Sequence, residues 1–312
     1  MKTGKVVALS GGIGGAKLAL GLDRVLAPGQ LTIIANTGDD FRHLGLHISP
    51  DIDTLLYTLA GLDDPVRGWG RRDETWNFMQ ALGQIGGETW FQLGDGDLAI
   101  HVERTRRLAG GETLSEVTDG LRRRLGIASA IVPMSDDPVR TRVETDEGWL
   151  DFQHYFVRRR CEPRVRALEF AGAATARLAA NALAALSDPA LAAIIICPSN
   201  PYLSVDPIRA VPGLREALHA ASAPVIAVSP IIAGQAVKGP TAKMMAELGL
   251  MPSAATVAEH YAGLIDVFVV DEADAETGVG GAEKRVGPTL MRNLDDKIGL
   301  ARLVLGVTGW TV

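Results

Sequence analysis

A chain of 312 residues, 47% hydrophobic and 22% charged, can bury a sizeable core as one large domain or two modest ones. Its 37 acidic and 31 basic residues leave a formal charge of -6, which excludes a general nucleic-acid binder, since that work rests on a basic surface. Two cysteines, Cys161 and Cys197, cannot form a disulfide framework, and no apolar run reaches membrane-spanning length. With no charged-then-apolar leader before the first strand pattern, the expected location is the cytoplasm, without a membrane or nucleic-acid partner.

The first element is the apolar run Val6-Val7-Ala8-Leu9, which passes through Ser10-Gly11-Gly12-Ile13-Gly14-Gly15-Ala16-Lys17 into Leu18-Ala19-Leu20. This reads as strand, tight turn, helix. Glycines there permit positive φ and a close approach of backbone N–H groups to a ligand at the positive end of the helix dipole, so an anion such as a nucleotide phosphate is the expected guest. Two named motifs fail. Lys17 stands between Ala16 and Leu18, without the Ser or Thr of a triphosphatase loop. Lys17 also stands where the dinucleotide fingerprint wants its third glycine. A turn that merely lets helix and strand pack closely is the alternative.

Leu31 to Asn36 is a second apolar run, followed by Thr37-Gly38-Asp39-Asp40, and the strand-helix-strand spacing predicts a parallel sheet. Functional groups of such sheets gather beyond the carboxyl ends of the strands, so the glycine turn and the Asn36 to Asp40 loop should face one crevice. Ser49-Pro50-Asp51-Ile52-Asp53-Thr54 then leads into a helix closed near Gly61. Asp51 or Asp53 alone would serve as a helix cap. Four aspartates from two loops beside a phosphate site predict hard oxygen ligands for Mg²⁺, with Asp39, Asp40, Asp51 and Asp53 as the catalytic and metal-holding set.

Residues 63–127 change in composition and read as a smaller, mainly helical insertion into a core of 1–62 and 128–312. Helical patterns cover Thr75 to Leu82 and Leu114 to Leu125, with Asp95 and Asp97 on a turn between them. Beyond it, Ala130 to Pro133 resumes the sheet, and Arg140 to Phe156 alternates around Asp146-Glu147-Gly148 as a hairpin. Ala173 to Leu186 reads as helix. Ala192 to Cys197 and Pro224 to Ser229 read as buried strands, followed by Pro198-Ser199-Asn200-Pro201 and by a loop with Lys238 and Lys243 at a helix start, where each lysine alone reads as solvated and the two together as a second anion contact. Val267 to Asp271 gives one more strand, and Leu294 to Leu305 a covering helix. His43 and His47 read as satisfied loop histidines, and nothing nominates a covalent nucleophile.

Taken together, Ser10 to Lys17, Asn36 to Asp40, Ser49 to Thr54, Leu93 to Ala99, Met134 to Val139, Pro198 to Pro201 and Val228 to Gly234 resemble the 2-phospho-L-lactate transferases of deazaflavin coenzyme F-420 biosynthesis. The resemblance runs over nearly the whole chain, departing at Val205-Asp206, where that family often has Ile-Gly. It implies a Rossmann-like α/β core, commonly a homodimer, and Mg²⁺-dependent transfer. The phospho-acid part of a guanosine-diphosphate-activated three-carbon acid would pass to the ribityl hydroxyl of a deazaflavin alcohol, releasing GMP. On this reading Ser10, Gly11, Gly12, Gly14, Gly15, Lys17, Ser199, Asn200 and Lys238 hold the donor diphosphate. Asn36, Thr37, Tyr57, Trp90 and Phe91 are acceptor candidates, although the three aromatics read first as core. The carried acid is left open among phospholactate, phosphoenolpyruvate and phosphoglycerate. The competing readings are a non-catalytic nucleotide-sugar-binding regulator of the wider superfamily and a nicotinamide dehydrogenase, the latter weakened by the failed fingerprint.

Overall fold

The computed structural model describes residues 4–236 and 239–310. Seven strands form one parallel sheet: β1 Lys5–Ser10, β2 Leu31–Ala35, β3 Ala130–Pro133, β4 Leu191–Ile196, β5 Val225–Val228, β6 Val267–Val270 and β7 Glu283–Val286. Their spatial order is β7-β6-β5-β4-β1-β2-β3. The first six strands are continuous apolar runs because both faces are covered, as parallel sheets require. Alternate residues divide between the faces. Val7, Leu9, Ile34, Ile194 and Ile196 join one core cluster. Val6, Ala8, Ile33, Ala193 and Ile195 join the other, with helix α1 (Gly12–Val25) and the covering helix Leu294–Gly306.

The strand order reverses direction between β1 and β4. Connections from the two strands run to opposite sides there and leave a crevice at their carboxyl ends, the switch point at which such sheets bind ligands. The glycine turn follows β1 and the Pro198 to Pro201 segment follows β4, so the fold places both at this crevice.

Three expectations change. The strand β7, Glu-Lys-Arg-Val, is exposed along its length and carries no apolar signal, because an edge strand is protected by charge rather than burial. The hairpin Arg140–Thr145 with Gly148–Asp151 gains a third antiparallel strand, Val165–Ala171, and the chain after Asp151 turns into a π-helical turn, His154–Arg158, instead of continuing the strand. Of the stretch 173–186, only Ala180–Leu186 is α-helical.

Residues 63–127 carry α3 Asn77–Gln84, α4 Asp95–Ala109 and α5 Leu114–Arg124, which follow α2 Pro50–Ala60. Val117 and Leu121 of α5 are buried in the sheet's own core, while Met79 and Leu93 form a separate small cluster with Ile48. Asp95 and Asp97 open α4 rather than sitting on a plain turn. The Asp95 carboxylate accepts from Asn77 N at 3.2 Å and Phe78 N at 3.0 Å, capping α3, while Glu74 accepts from Gly96 N at 2.6 Å and Asp97 N at 2.8 Å, capping α4. Replacing Asp95 with Ala is expected to lower the thermal midpoint by a few degrees and leave turnover at 25 °C near wild type, as read by calorimetry and assay.

Candidate active site

The turn after β1 is built by close approach more than by unusual dihedrals. Gly12 alone of its four glycines has positive φ, at 64°, and Gly11 is extended. Gly14 faces a backbone: a Cβ there would lie 2.3 Å from the Pro198 carbonyl oxygen, and one on Gly11 would lie 2.7 Å from Asp51 Oδ2. The two loops therefore interlock. Gly11 N donates to Ser199 Oγ at 3.1 Å, and that hydroxyl donates to Gly11 O at 2.8 Å. No acid of α1's own sequence occupies its first turn, and its N-cap residue, Gly11, has no side chain to cap it, so the positive end of its dipole is met from outside the helix.

Asn36, at the end of β2, is the joint of the acidic cluster. Its Nδ2 donates to Asp39 Oδ1 at 3.1 Å and to Asp51 Oδ2 at 2.9 Å, while its Oδ1 accepts from Gly38 N at 2.8 Å. Asp51 Oδ1 in turn accepts from Gly12 N at 2.7 Å. One amide thus ties both acidic loops to the start of α1. The four aspartates divide into two kinds. Asp39 and Asp51 line a cavity of about 540 Å³. Asp40 and Asp53 stand behind them and outside its wall: Asp40 Oδ2 accepts from Ser49 Oγ at 2.8 Å and lies 3.1 Å from His47 Nε2, and Asp53 is paired with Arg104.

Burial raises the Asp51 carboxyl to about 6 against the hydrogen bonds from Asn36 and Gly12, with Asp40 and Asp53 adding to the rise. Burial and the neighbouring Asp51 push Asp39 well above the usual carboxylate range. Both acids hold protons more tightly folded than unfolded. Their contribution to stability is therefore full below the ordinary carboxylate range and is lost as pH rises through the folded value. From about pH 4 to about pH 8 the cation-free protein is expected to lose about 2 kcal/mol relative to an Asp51→Asn variant, read by denaturant unfolding.

The remaining expected residues fall on both sides of the cavity wall. Gly11, Gly12, Gly14, Lys17, Ser199, Asn200 and Phe91 line it. Lys17 Nζ donates to Met291 O at 2.8 Å, which anchors it across the cavity floor. Ser10 is fully buried beneath the turn, and Gly15 sits where a Cβ would meet Ser10 Oγ at 2.4 Å and Ser199 Oγ at 2.6 Å, so neither forms part of the wall. Lys238 lies outside the described residues. Lys243 is turned away, donating to Pro163 O and pairing with Glu247. Asn36 is consumed by the carboxylates, and Thr37 is buried behind the wall. Tyr57 is core, its hydroxyl donating to Asp97, and Trp90 stacks on His154 with ring centroids 4.7 Å apart, and neither lines the cavity.

Residues not expected from the sequence also line the wall, among them Trp69, Phe152, Gln153 and Phe156. Phe152 and Phe156 stack with centroids 5.3 Å apart and planes 12° from parallel. Their spacing of four was a helical signal hidden inside a segment read as strand. His47 and Arg104 were missed as partners of the acids. Asp97, His101 and Arg104 are spaced as one helical face, which becomes visible once α4 is known to start at Asp95.

A parallel sheet in this order, with a helix start and buried carboxylates meeting at its switch point, defines a Rossmann-like α/β protein with its crevice at that edge. Residues 6–293 match the family described as 2-phospho-L-lactate transferase CofD. The chain is 40% identical over 311 residues to a phosphoenolpyruvate transferase of Streptomyces griseus, covering 96% of this chain and 97% of that one. It is 37% identical over 331 residues to a phosphoenolpyruvate transferase of Mycobacterium ulcerans, covering 99% and 100%. Its fold is similar to that of a solved protein member of the upf0052 family from Bacillus halodurans, with a TM-score of 0.64 at 17% identity, covering 98% of this chain and 99% of that one. The chain belongs to the 2-phospho-L-lactate transferase CofD family and is a transferase of that type. Among the described residues no helix is long and apolar enough to cross a membrane.

Proposed function

We propose that the protein moves the phospho-acid part of a guanosine-diphosphate-activated three-carbon acid onto the terminal ribityl hydroxyl of a deazaflavin alcohol, with Mg²⁺, releasing GMP. The observation that carries this reading is the pair of cavity-facing carboxylates, Asp39 and Asp51, joined by Asn36 at the start of α1. Phosphoenolpyruvate is the favoured acid, supported by the relatives bearing that name at 37–41% identity.

The residues fit a hard cation. All the acidic donors are oxygens, and Asp40 Oδ1 is buried with no hydrogen-bond partner among the described residues. Asp39 and Asp51 would hold Mg²⁺ directly, with Asp40 behind them. When bound, Mg²⁺ neutralises charge on the diphosphate. The N–H groups of the first turn of α1 beyond Gly12, with Ser199 and Lys17, hold the donor's phosphates. Asn200 lines the cavity and accepts with its Oδ1 from Tyr202 N and Leu203 N, so the contact we assign it to the ligand is through its amide nitrogen. Phe91, Phe152, Phe156 and Trp69 offer flat apolar surface to the deazaflavin ring. The hydroxyl oxygen attacks the phosphorus bearing the acid, the bond from that phosphorus to the GMP oxygen breaks, and the hydroxyl proton passes to Asp39 or to a water it orients.

The test mixes purified protein, Mg²⁺, the deazaflavin alcohol and each guanylylated acid in turn, and reads GMP and the phosphodiester by mass. Product is expected fastest with the phosphoenolpyruvate donor and is expected to vanish on chelation of the metal. No product from any of the three donors would overturn the proposal.

A further inference from the structure

Among the largest fully buried side chains is a charged one. Arg104, on α4, is 0% exposed. Its NH1 donates to Asp53 Oδ2 at 3.1 Å and its NH2 to Asp53 Oδ1, a two-pronged pair between a planar guanidinium and a carboxylate. NH1 also lies 3.3 Å from His101 Nδ1. Oxygens of Asp53 and Asp97 and a nitrogen of His101 lie within 4.8 Å of one another, a spacing that suits a cation. The guanidinium, already bonded to both oxygens of Asp53, is the cation of that cluster.

The charge count explains why this matters to the cavity. Asp39, Asp40, Asp51 and Asp53 crowd into one buried region, and four ionised carboxylates there would bind a divalent ion tightly and repel the diphosphate that must follow it. Arg104 cancels one of the four. It also fixes Asp53 outside the cavity wall, although only one residue separates it from Asp51 on α2.

We propose, resting on the reading of Asp39 and Asp51 given above, that Arg104 is a positioning residue for the transfer: it holds Asp53 away from the bound cation and sets the net charge of the acidic cluster. Because Arg104 lies on the inserted helix α4 and Asp53 on α2, the insertion thereby acts on the chemistry of a site to which Arg104 contributes no wall.

The experiment is a calorimetric titration of Mn²⁺ into the whole protein at pH 8 without substrates, on wild type, Arg104→Lys, Arg104→Met, Asp53→Asn and the double variant Arg104→Met/Asp53→Asn. Arg104→Met is expected to bind Mn²⁺ about tenfold more tightly and Asp53→Asn about tenfold more weakly, from the change of one charge at close range. Arg104→Lys and the double variant are expected to stay within about threefold of wild type, since each keeps the charge count. A purely structural Arg104 would give the opposite sign, with Arg104→Met weakening Mn²⁺ binding in step with its loss of thermal stability. Removing one partner of a buried pair destabilises far more than removing both. If Arg104→Met does not fold, the double variant against Asp53→Asn carries the test and should bind about tenfold more tightly. Equal Mn²⁺ affinity in all the folded variants would overturn the role of Arg104 while leaving the acidic site standing. No Mn²⁺ binding by the wild-type protein would overturn the reading of Asp39 and Asp51 and this inference with it.

Discussion

Asp51→Asn is expected to lower kcat/KM by about 10²–10³ while leaving the protein folded. Asp51 is the one carboxylate that meets all parts of the site. It faces the cavity, accepts from Gly12 N at the start of α1 and accepts from Asn36 Nδ2, which also holds Asp39. Asparagine preserves the shape but removes the charge that a divalent ion needs, and it offers a single acceptor oxygen where two backbone or amide donors now converge. One of the two hydrogen bonds must fail, at a cost of about 1 kcal/mol. Against this stands the relief of a buried carboxylate whose pKa is raised to about 6. The variant should therefore match wild type in stability at pH 8 to within about 1 kcal/mol and require more Mg²⁺ for half-maximal rate. Steady-state kinetics over a metal titration, with unfolding curves on the same samples, checks both. Wild-type turnover at ordinary Mg²⁺ would remove Asp51 from the mechanism.

The second large effect is steric. Gly14→Val is expected to destabilise the protein by about 3 kcal/mol or more and to weaken GDP binding at least about tenfold. A Cβ on residue 14 would stand 2.3 Å from the Pro198 carbonyl oxygen, which is backbone and cannot rotate aside as a side-chain end would. The only relief is to part the turn after β1 from the loop after β4, and those are the two walls of the switch-point crevice. The control is Gly299→Ala, in the covering helix, where the new Cβ meets nothing within 4 Å. It should raise stability by about 0.5–1 kcal/mol, because glycine weakens a helix interior. Denaturant unfolding and GDP calorimetry on the two variants distinguish a clash at a ligand wall from a general cost of losing glycine.

Much of the architecture is local and was therefore legible. The six apolar strand runs are continuous because both faces of the sheet are covered, and the sequence shows that directly. The glycine turn and the acidic loops stand just after strands, and in a parallel sheet that position alone brings them to one edge. The family resemblance rests on the same loops. β7 was invisible because an edge strand of four charged or exposed residues has no burial to advertise. The stretch 149–156 misled because its alternation ends at Asp151, where a π-helical turn swings Phe156 against Phe152 at the cavity wall.

By itself the sequence determined the α/β class, the crevice edge and the four aspartates as a group, since each of these follows from neighbours along the chain. Only the tertiary structure decided what each group does there. Asp39 and Asp51 face the cavity, while Asp40 is held by Ser49 and Asp53 by an arginine 51 residues away. Tyr57 and Trp90 turn into packing, and Phe152, Phe156 and Trp69 take the wall instead. The reason is physical. A carboxylate's role is set by the charges and donors that surround it after burial, and those come from elements whose meeting no local pattern records.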